Sequence, residues 1–373
     1  MRIGINGLLL SAESGYRQSG IDRYLRGLLS ALPEAMPDDD LTVFADAEAI
    51  DSEDRFALHP APALTRNRAL RIAWEQAGLP RAIKQEKLDL FHGAAFALPA
   101  RSPAPGVVTI HDLAFWRWPE QVPKRRGVYL ARAVVSATKR ARRIIAVSEA
   151  TKRDIVELLH VDPDRIDVTP LGVDARFRRA SGEEIVDFRQ RHELSHPFVL
   201  AVGTREPRKN LPALVRAFAS IADSIPHDLV HAGSAGWLTD ELDEAVAEAK
   251  LGDRIRFVDY VPHEELPLWY SAADCFVMAS LYEGFGLPLL EAMACNAACI
   301  ASNRSSLPEV AGDAALLCDP DRDSIATAIA TLLHDGELRQ RFRAAGPTRA
   351  AEFTWQRTAA LTAASYRKAL SND

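Results

Sequence analysis

Short apolar runs alternate with longer stretches of helical periodicity along almost all of this 373-residue chain. That alternation constrains the fold more than any other feature of it, because β–α repetition calls for parallel sheets covered by helices on both faces. A strand buried on both faces is apolar throughout, as Phe198-Val-Leu-Ala-Val202 is. The pattern predicts strands at 2–6, 41–45, 89–92, 107–110, 144–147 and 166–169, and again at 198–202, 229–232, 255–258, 275–279, 298–301 and 315–318. The sheet restarts at residue 198, after a charged helical stretch from Ala175 to His196. The predicted architecture is therefore α/β, with two Rossmann-like doubly wound domains facing a central crevice at the carboxyl ends of their strands. We expect an N-terminal domain over 1–178 and a C-terminal domain over 179–352. A last helix over 353–373, anchored by Trp355 and Tyr366, is expected to pack back on the first domain.

Residues 280–291 read Ser-Leu-Tyr-Glu-Gly-Phe-Gly-Leu-Pro-Leu-Leu-Glu, directly after a predicted strand. Gly284 and Gly286 let the backbone turn tightly and approach a ligand. Pro288 suits the first turn of a helix, whose unpaired N–H groups form an anion site. Glu283 before that site and Glu291 inside the helix suit a ligand carrying both phosphate and hydroxyl groups, such as a sugar nucleotide. The alternative is an ordinary strand-to-helix turn with two surface glutamates. The dinucleotide pattern G-x-G-x-x-G is not met, since Leu289 stands at its third glycine.

No apolar run reaches the 18 or so residues of a membrane span. The segment Met-Arg-Ile-Gly-Ile-Asn-Gly reads as a first strand, not a signal peptide. Cys275, Cys295, Cys299 and Cys318 lie in apolar segments without C-x-x-C spacing, which is expected of reduced, buried thiols in a cytoplasmic protein. Residues 1–180 carry a net +4 and residues 181–373 a net −10, so a basic surface is to be sought in the first half. Residues 121–143 hold Lys124, Arg125, Arg126, Arg132, Lys139, Arg140, Arg142 and Arg143 and no acidic side chain. Arg125, Arg132 and Lys139 fall on one helix face, opposite Leu130, Val134, Ala137 and Ala141. A basic amphipathic helix can rest on anionic headgroups; a solvated face is the other reading. Nucleic acid is not expected, given the acidic total and no interleaved aromatic platform.

On these residues the chain resembles, over essentially its whole length, a retaining glycosyltransferase of family 4 with the two-Rossmann GT-B architecture. The resemblance rests on the E-x7-E pair Glu283 and Glu291, on Val202-Gly-Thr-Arg-Glu-Pro-Arg-Lys-Asn-Leu211 and on Thr109-Ile-His-Asp-Leu113. Phe257-Val-Asp-Tyr-Val261 with Glu264 and Leu266, and Leu307-Pro-Glu-Val-Ala-Gly-Asp-Ala-Ala315, complete it. It implies an acceptor-binding first domain and a nucleotide-sugar-binding second one. Arg208 and Lys209 match the basic pair on the donor diphosphate, where fixed cations stabilise the departing charge. A polar turn capping a helix at Asn210 is the structural reading of the same run. Where many relatives carry an arginine, this chain has Thr204, which shifts that load to Arg205 or Arg208. Glu291 matches the partner of the ribose hydroxyls and Glu283 that of the transferred sugar. The N–H groups of Phe285, Gly286 and Leu287 assist, and Tyr260 and Val261 lie where the base is held. His111 matches a histidine lining the donor sugar, although a lone histidine at a strand end is often structural. Asp112 either orients His111 or serves the acceptor. Gly20 opens the first long helix, whose start can approach the phosphates, and Tyr16 and Arg17 before it are candidates for the acceptor.

The implied reaction is retaining hexosyl transfer from a nucleoside diphosphate sugar to a glycan or lipid-linked glycan, on the cytoplasmic side and peripheral to the membrane. It needs no metal and no cofactor, since Arg208, Lys209 and the helix start stand in for Mg²⁺. No carboxylate pair flanks the bond as in glycosidases. The form Gly-Thr-x-Glu-Pro-Arg-Lys-Asn resembles members of O-antigen and exopolysaccharide assembly, which points to GDP-mannose. The alternatives are a sugar phosphorylase or nucleotide-sugar epimerase of the same architecture, or a non-catalytic sugar-nucleotide binder.

Overall fold

Parallel strands need long crossovers to return the chain, and in this protein helices supply them. The structure, a computed structural model, describes residues 1–11, 20–50 and 55–371. The chain divides into one unit of residues 1–172 with 354–373 and a second of residues 173–353.

The first unit holds a seven-stranded sheet of β1 (Arg2–Asn6), β2 (Asp40–Ala45), β3 (Ala57–Pro60), β4 (Leu90–Gly93), β5 (Gly106–Ile110), β6 (Ala141–Ala146) and β7 (Ile166–Val168). Its order is β3-β2-β1-β4-β5-β6-β7, and every pairing is parallel. The second unit holds β8 (Phe198–Val202), β9 (Asp228–Ala232), β10 (Ile255–Val258), β11 (Cys275–Met278), β12 (Cys299–Ser302) and β13 (Leu316–Cys318). Their order is β10-β9-β8-β11-β12-β13, again all parallel. Each sheet thus reverses direction once, between β1 and β4 in the first and between β8 and β11 in the second. Ligands of open sheets sit at such switch points, beyond the carboxyl ends of the strands.

All the predicted strands are present. The sequence reading missed β3, for a physical reason. It is an edge strand with exposed ends, ends in Pro60, and so lacks the apolar run that marks a covered strand; edge strands tolerate proline. Phe177, N-terminal of the expected 178/179 boundary, packs on His263 and Tyr270 in the second unit.

The last helix, Trp355–Leu370, is capped by the Thr354 side chain, which accepts from the Arg357 N–H. It is built into the first unit. A Cβ on Gly27 would lie 2.1 Å from the Trp355 ring, so only glycine lets the Gly20–Ala35 helix come so close. The fully buried Tyr366 places its hydroxyl 2.7 Å from His92 Nδ1. Asp167 accepts from Arg143, Ser365 and Lys368. Arg142 donates to the Ala369 carbonyl. Those two arginines of the basic stretch therefore help to hold the last helix, because the basic helix ends at Arg140 and they lie in β6.

Cys275, Cys295 and Cys299 are free and buried, and burial pushes all three thiols up. Cys318 is pushed up to about 11 by burial, helped by Asp321 and Asp319. Among the described residues no helix is long and apolar enough to cross a membrane.

Candidate active site

Two loops meet at the switch point of the second sheet. One follows β8 and the other follows β11; the Leu281 N–H donates to the Arg208 carbonyl at 2.8 Å. Asn210 sits in the left-handed region with φ 57°, which asparagine tolerates better than most residues. Its side-chain amide donates to the Ala279 carbonyl at 3.1 Å and to that of Pro320 at 2.7 Å. Gly203, with φ 139°, and Gly233 pack backbone to backbone: a Cβ on Gly233 would stand 2.0 Å from the Gly203 carbonyl oxygen. The loop after β8 is thereby fixed from both sides.

Between these loops lies a charge cluster. Arg208 Nη1 donates to Glu283 Oε2 at 2.6 Å and Lys209 Nζ to Glu283 Oε1 at 2.6 Å. Arg208 also pairs with Glu206 at 2.6 Å and reaches the Tyr282 carbonyl at 3.3 Å. Glu283 is 6 % exposed. Burial alone would raise its pKa, but Arg208 and Lys209 override that and hold it down at about 2. The carboxylate is therefore ionised, and its two oxygens splint two cations side by side. Its own backbone is pinned as well. The Glu283 N–H donates to Ser305 Oγ at 2.8 Å, and the Ser306 hydroxyl lies 2.9 Å from the Glu283 carbonyl and 2.8 Å from that of Phe285.

The helix Leu287–Ala294 starts at this cluster. Its cap residue is Gly286, with φ 110°, where a Cβ would also press Leu307 Cδ2 at 2.8 Å. The N–H groups of Phe285, Gly286 and Leu287 precede the first helical bond and donate to no other group among the described residues. They carry the positive end of the helix. Glu291, inside the helix and 2 % exposed, accepts from the Tyr270 hydroxyl at 3.1 Å. The site thus combines two paired cations, an uncommitted run of backbone donors and two buried carboxylates, which is chemistry suited to a diphosphate flanked by hydroxyls.

The remaining candidates divide. Thr204 is half-buried in the loop after β8. Arg205 does not join Glu283: it pairs with Asp259 at 2.5 Å and lies over the Phe257 ring at 5.5 Å. Tyr260 is exposed and Val261 buried in the loop after β10, at the same carboxyl edge of the sheet. In the first unit, His111 follows β5 and is buried. Its Nε2 lies 2.9 Å from the Ala94 carbonyl, which can only accept, so Nε2 carries the proton and Nδ1 is left as an acceptor. Burial lowers its pKa, against the opposing pulls of that bond and of Asp112. The ring packs edge-on to Tyr24 at 4.8 Å. Asp112 caps the next turn, accepting from the Ala114 N–H at 3.0 Å. Gly20 is the exposed first residue of the Gly20–Ala35 helix. Tyr16 and Arg17 lie outside the described residues.

Sequence reading missed Glu206, Asn210, Ser305 and Ser306. Asn210 reads as a helix cap, and nothing local marks it, or the Ser-Ser pair before Leu307-Pro308, as a support for a loop far away in the chain.

Residues 18–177 match the family model described as Glycosyltransferase Family 4, and residues 183–349 the one described as Glycosyl transferases group 1. The chain is 34 % identical to the O-antigen chain mannosyltransferase B of Escherichia coli, over 94 % of this chain and 97 % of that one. Among solved structures, a sucrose-phosphate synthase from Thermosynechococcus elongatus superposes with a TM-score of 0.78 at 22 % identity, covering 98 % of each chain. Anabaena HepE in complex with UDP and glucose superposes with a TM-score of 0.76 at 18 % identity, over 98 % of this chain and 99 % of that one. These likenesses show the GT-B fold.

Proposed function

The chain belongs to the family 4 glycosyltransferases, and from that premise we propose that it transfers a mannosyl group from GDP-mannose to a glycan or lipid-linked glycan, with retention and without a metal. One observation carries the reading: Arg208 and Lys209 are held side by side on Glu283, next to the uncommitted donors of Phe285, Gly286 and Leu287. The mannose assignment is supported by the O-antigen mannosyltransferase relative.

In this mechanism the donor diphosphate lies across the helix start. Arg208, Lys209 and the backbone donors take up the negative charge that grows on it as the glycosidic bond breaks, and preorganised donors of this kind are typically the largest catalytic contribution. Because fixed cations do that work, no Mg²⁺ is called for. Glu291 accepts from the ribose hydroxyls. Tyr260 and Val261 border the base, and Thr204 borders the phosphates. His111 Nδ1 accepts from a hydroxyl of the transferred sugar. The acceptor hydroxyl attacks from the face the diphosphate leaves, so the anomeric configuration is retained and no protein nucleophile is used. Gly20, Tyr16 and Arg17 are assigned to donor phosphate and acceptor contacts, and Asp112 supports the acceptor side by fixing the turn after His111.

Thermal unfolding with GDP, UDP, ADP and their sugars, in EDTA and then in Mg²⁺, tests the donor. A ligand at 100 times its Kd adds about 2.7 kcal/mol of stability. A shift with guanine nucleotides in EDTA, lost in Glu291→Ala, is the expected result, followed by α-linked product from the α-linked donor. A shift only with UDP or ADP compounds, or only with Mg²⁺, refutes the donor or the metal independence. Turnover that requires inorganic phosphate points to a phosphorylase.

A further inference from the structure

His111 is held by more than its own bond to Ala94, and the supports converge on a residue two positions before it. Tyr24 and Phe96 both meet its ring, with centroids 4.8 Å and 5.6 Å away at interplanar angles of 76° and 66°. Both are anchored on Thr109. The Thr109 hydroxyl lies 3.0 Å from that of Tyr24, and the Thr109 carbonyl accepts from the Phe96 N–H at 2.9 Å. Phe96 makes that bond with φ at 60°. Bulky side chains rarely adopt this conformation, and it persists only where the surroundings impose it.

The Thr109 hydroxyl has a second partner, His92 Nε2 at 2.8 Å, and His92 Nδ1 lies 2.7 Å from the Tyr366 hydroxyl. Tyr24, His92, Thr109 and Tyr366 are all fully buried. A hydroxyl with one proton donates to one neighbour and accepts from the other, and a neutral imidazole does the same with its two nitrogens. Burial keeps the His92 ring neutral. The four side chains therefore form one continuous hydrogen-bonded column. The His92–Thr109 and Ala94–His111 contacts each span 17 positions, so they are successive rungs at the carboxyl ends of β4 and β5. Stability does not call for such a column. Replacing both partners of a buried hydrogen bond by apolar groups of the same shape can be nearly neutral or stabilising. What the polar groups supply is direction, because a fully satisfied buried network fixes its members in one arrangement.

We propose that Thr109, supported by His92 and Tyr366, is a positioning residue. It aims the rings of Tyr24 and Phe96, and through them sets the orientation in which His111 Nδ1 meets the transferred sugar. The inference rests on the assignment of His111 to the donor sugar, and every residue in it belongs to the first unit.

Thr109→Val keeps the shape of the side chain and removes the shared hydroxyl, and two readouts on the full chain separate this inference from the reaction it serves. The first needs no substrate. With histidine nitrogens isotopically labelled for NMR, the wild-type His111 ring is expected in a single form protonated on Nε2, its signals identified by their loss in His111→Ala. In Thr109→Val those signals are expected to shift or broaden; unchanged signals overturn the inference whatever the reaction is. The second readout is steady-state transfer. Thr109→Val is expected to lower kcat by about tenfold to 10²-fold, the scale of a small misplacement, and to leave the donor KM unchanged. Thr109→Ser, which keeps the hydroxyl, is expected to recover most of that loss. In the His111→Ala background, Thr109→Val is expected to have no further effect on kcat. An equal loss in that background shows that the effect bypasses His111 and overturns the inference, as does a wild-type kcat in Thr109→Val. A wild-type kcat in His111→Ala refutes the assignment of His111 itself, and this inference with it. Unfolding midpoints check each variant, and Tyr24→Phe, which removes the other hydroxyl of the Tyr24–Thr109 bond, carries both measurements if Thr109→Val unfolds.

Discussion

Glu283 carries its charge because two cations hold it there. Removing that charge leaves Lys209 facing a neutral amide with its desolvation uncompensated, and leaves Arg208 with Glu206 as its one carboxylate partner among the described residues. Breaking a buried pair in this way costs about 3–5 kcal/mol, so Glu283→Gln is expected to unfold at clearly lower urea. Donor turnover is expected to fall by about 10²–10³, the effect of losing one preorganised transition-state contact; a kcat within threefold of wild type refutes the role. The acid behaviour follows from the same pairing. The carboxyl has an ordinary value of 4.5 and sits at about 2 in the folded protein. Its contribution to stability is therefore present above pH 4.5 and lost as the pH falls toward 2. The histidines act at higher pH. His92 is held at about 3 by burial, with His111 adding to it, and His231 at about 4 by burial, with Arg205 next. The unfolded chain takes up these protons near pH 6.5, while the folded chain refuses them until pH 3 to 4. Stability thus falls as the pH drops below 6.5, by about 1.4 kcal/mol per pH unit for each histidine. In His92→Asn, which cannot titrate, a plot of unfolding free energy against pH should be shallower between pH 6 and 4; an unchanged slope refutes the assignment.

At the scale of elements, the start of the Leu287–Ala294 helix depends on one glycine. Gly286→Ala places a side chain at φ 110° and against Leu307, and strain of this kind costs about 1–3 kcal/mol. Relieving it moves the very N–H groups assigned to the diphosphate. The expected result is a loss of nucleotide-induced stabilisation larger than the loss of stability itself, read by thermal unfolding with and without GDP. The C-terminal helix makes a different prediction. Tyr366→Phe removes the hydroxyl beside His92 Nδ1 and leaves that buried nitrogen unpaired, at a cost of about 1–3 kcal/mol; an unchanged denaturation midpoint would show that the bond contributes nothing. These elements also show where sequence was informative. β8 and β11 announce themselves because strands covered on both faces are apolar at every position, and β3 does not because an edge strand needs no such run. The Glu283–Glu291 pair is visible because Gly284, Gly286 and Pro288 impose a turn and a helix start by local sterics alone. The splint that Glu283 makes is not visible. Its cations lie 75 and 74 positions away and arrive there only through the β8–β11 pairing. Ser305 and Ser306, which hold the same loop, are hidden for the same reason. Within the basic stretch at 121–143, charge alone cannot tell Arg143, which binds Asp167, from Arg132, which lines a groove between the helices Arg68–Gln85 and Lys124–Arg140.

Over the whole molecule the two units repeat one plan, each a sheet with a single reversal, yet their connection is not symmetrical. The first unit is interrupted: residues 1–172 are completed only by 354–373, with the second unit set between them. The chain enters and leaves that second unit at adjoining points, since the Val173 N–H donates to the Phe353 carbonyl at 3.0 Å. In a protein made from its N-terminus onward, this arrangement inverts the usual sequence of completion, in which the first domain synthesised is the first to fold. When residue 172 has emerged, His92 still lacks Tyr366 and Asp167 still lacks Ser365 and Lys368, and all three partners are translated after the entire second unit. The first unit is thus begun before the second and completed after it, and until then the nascent chain presents an open seam where the helix Trp355–Leu370 will close it.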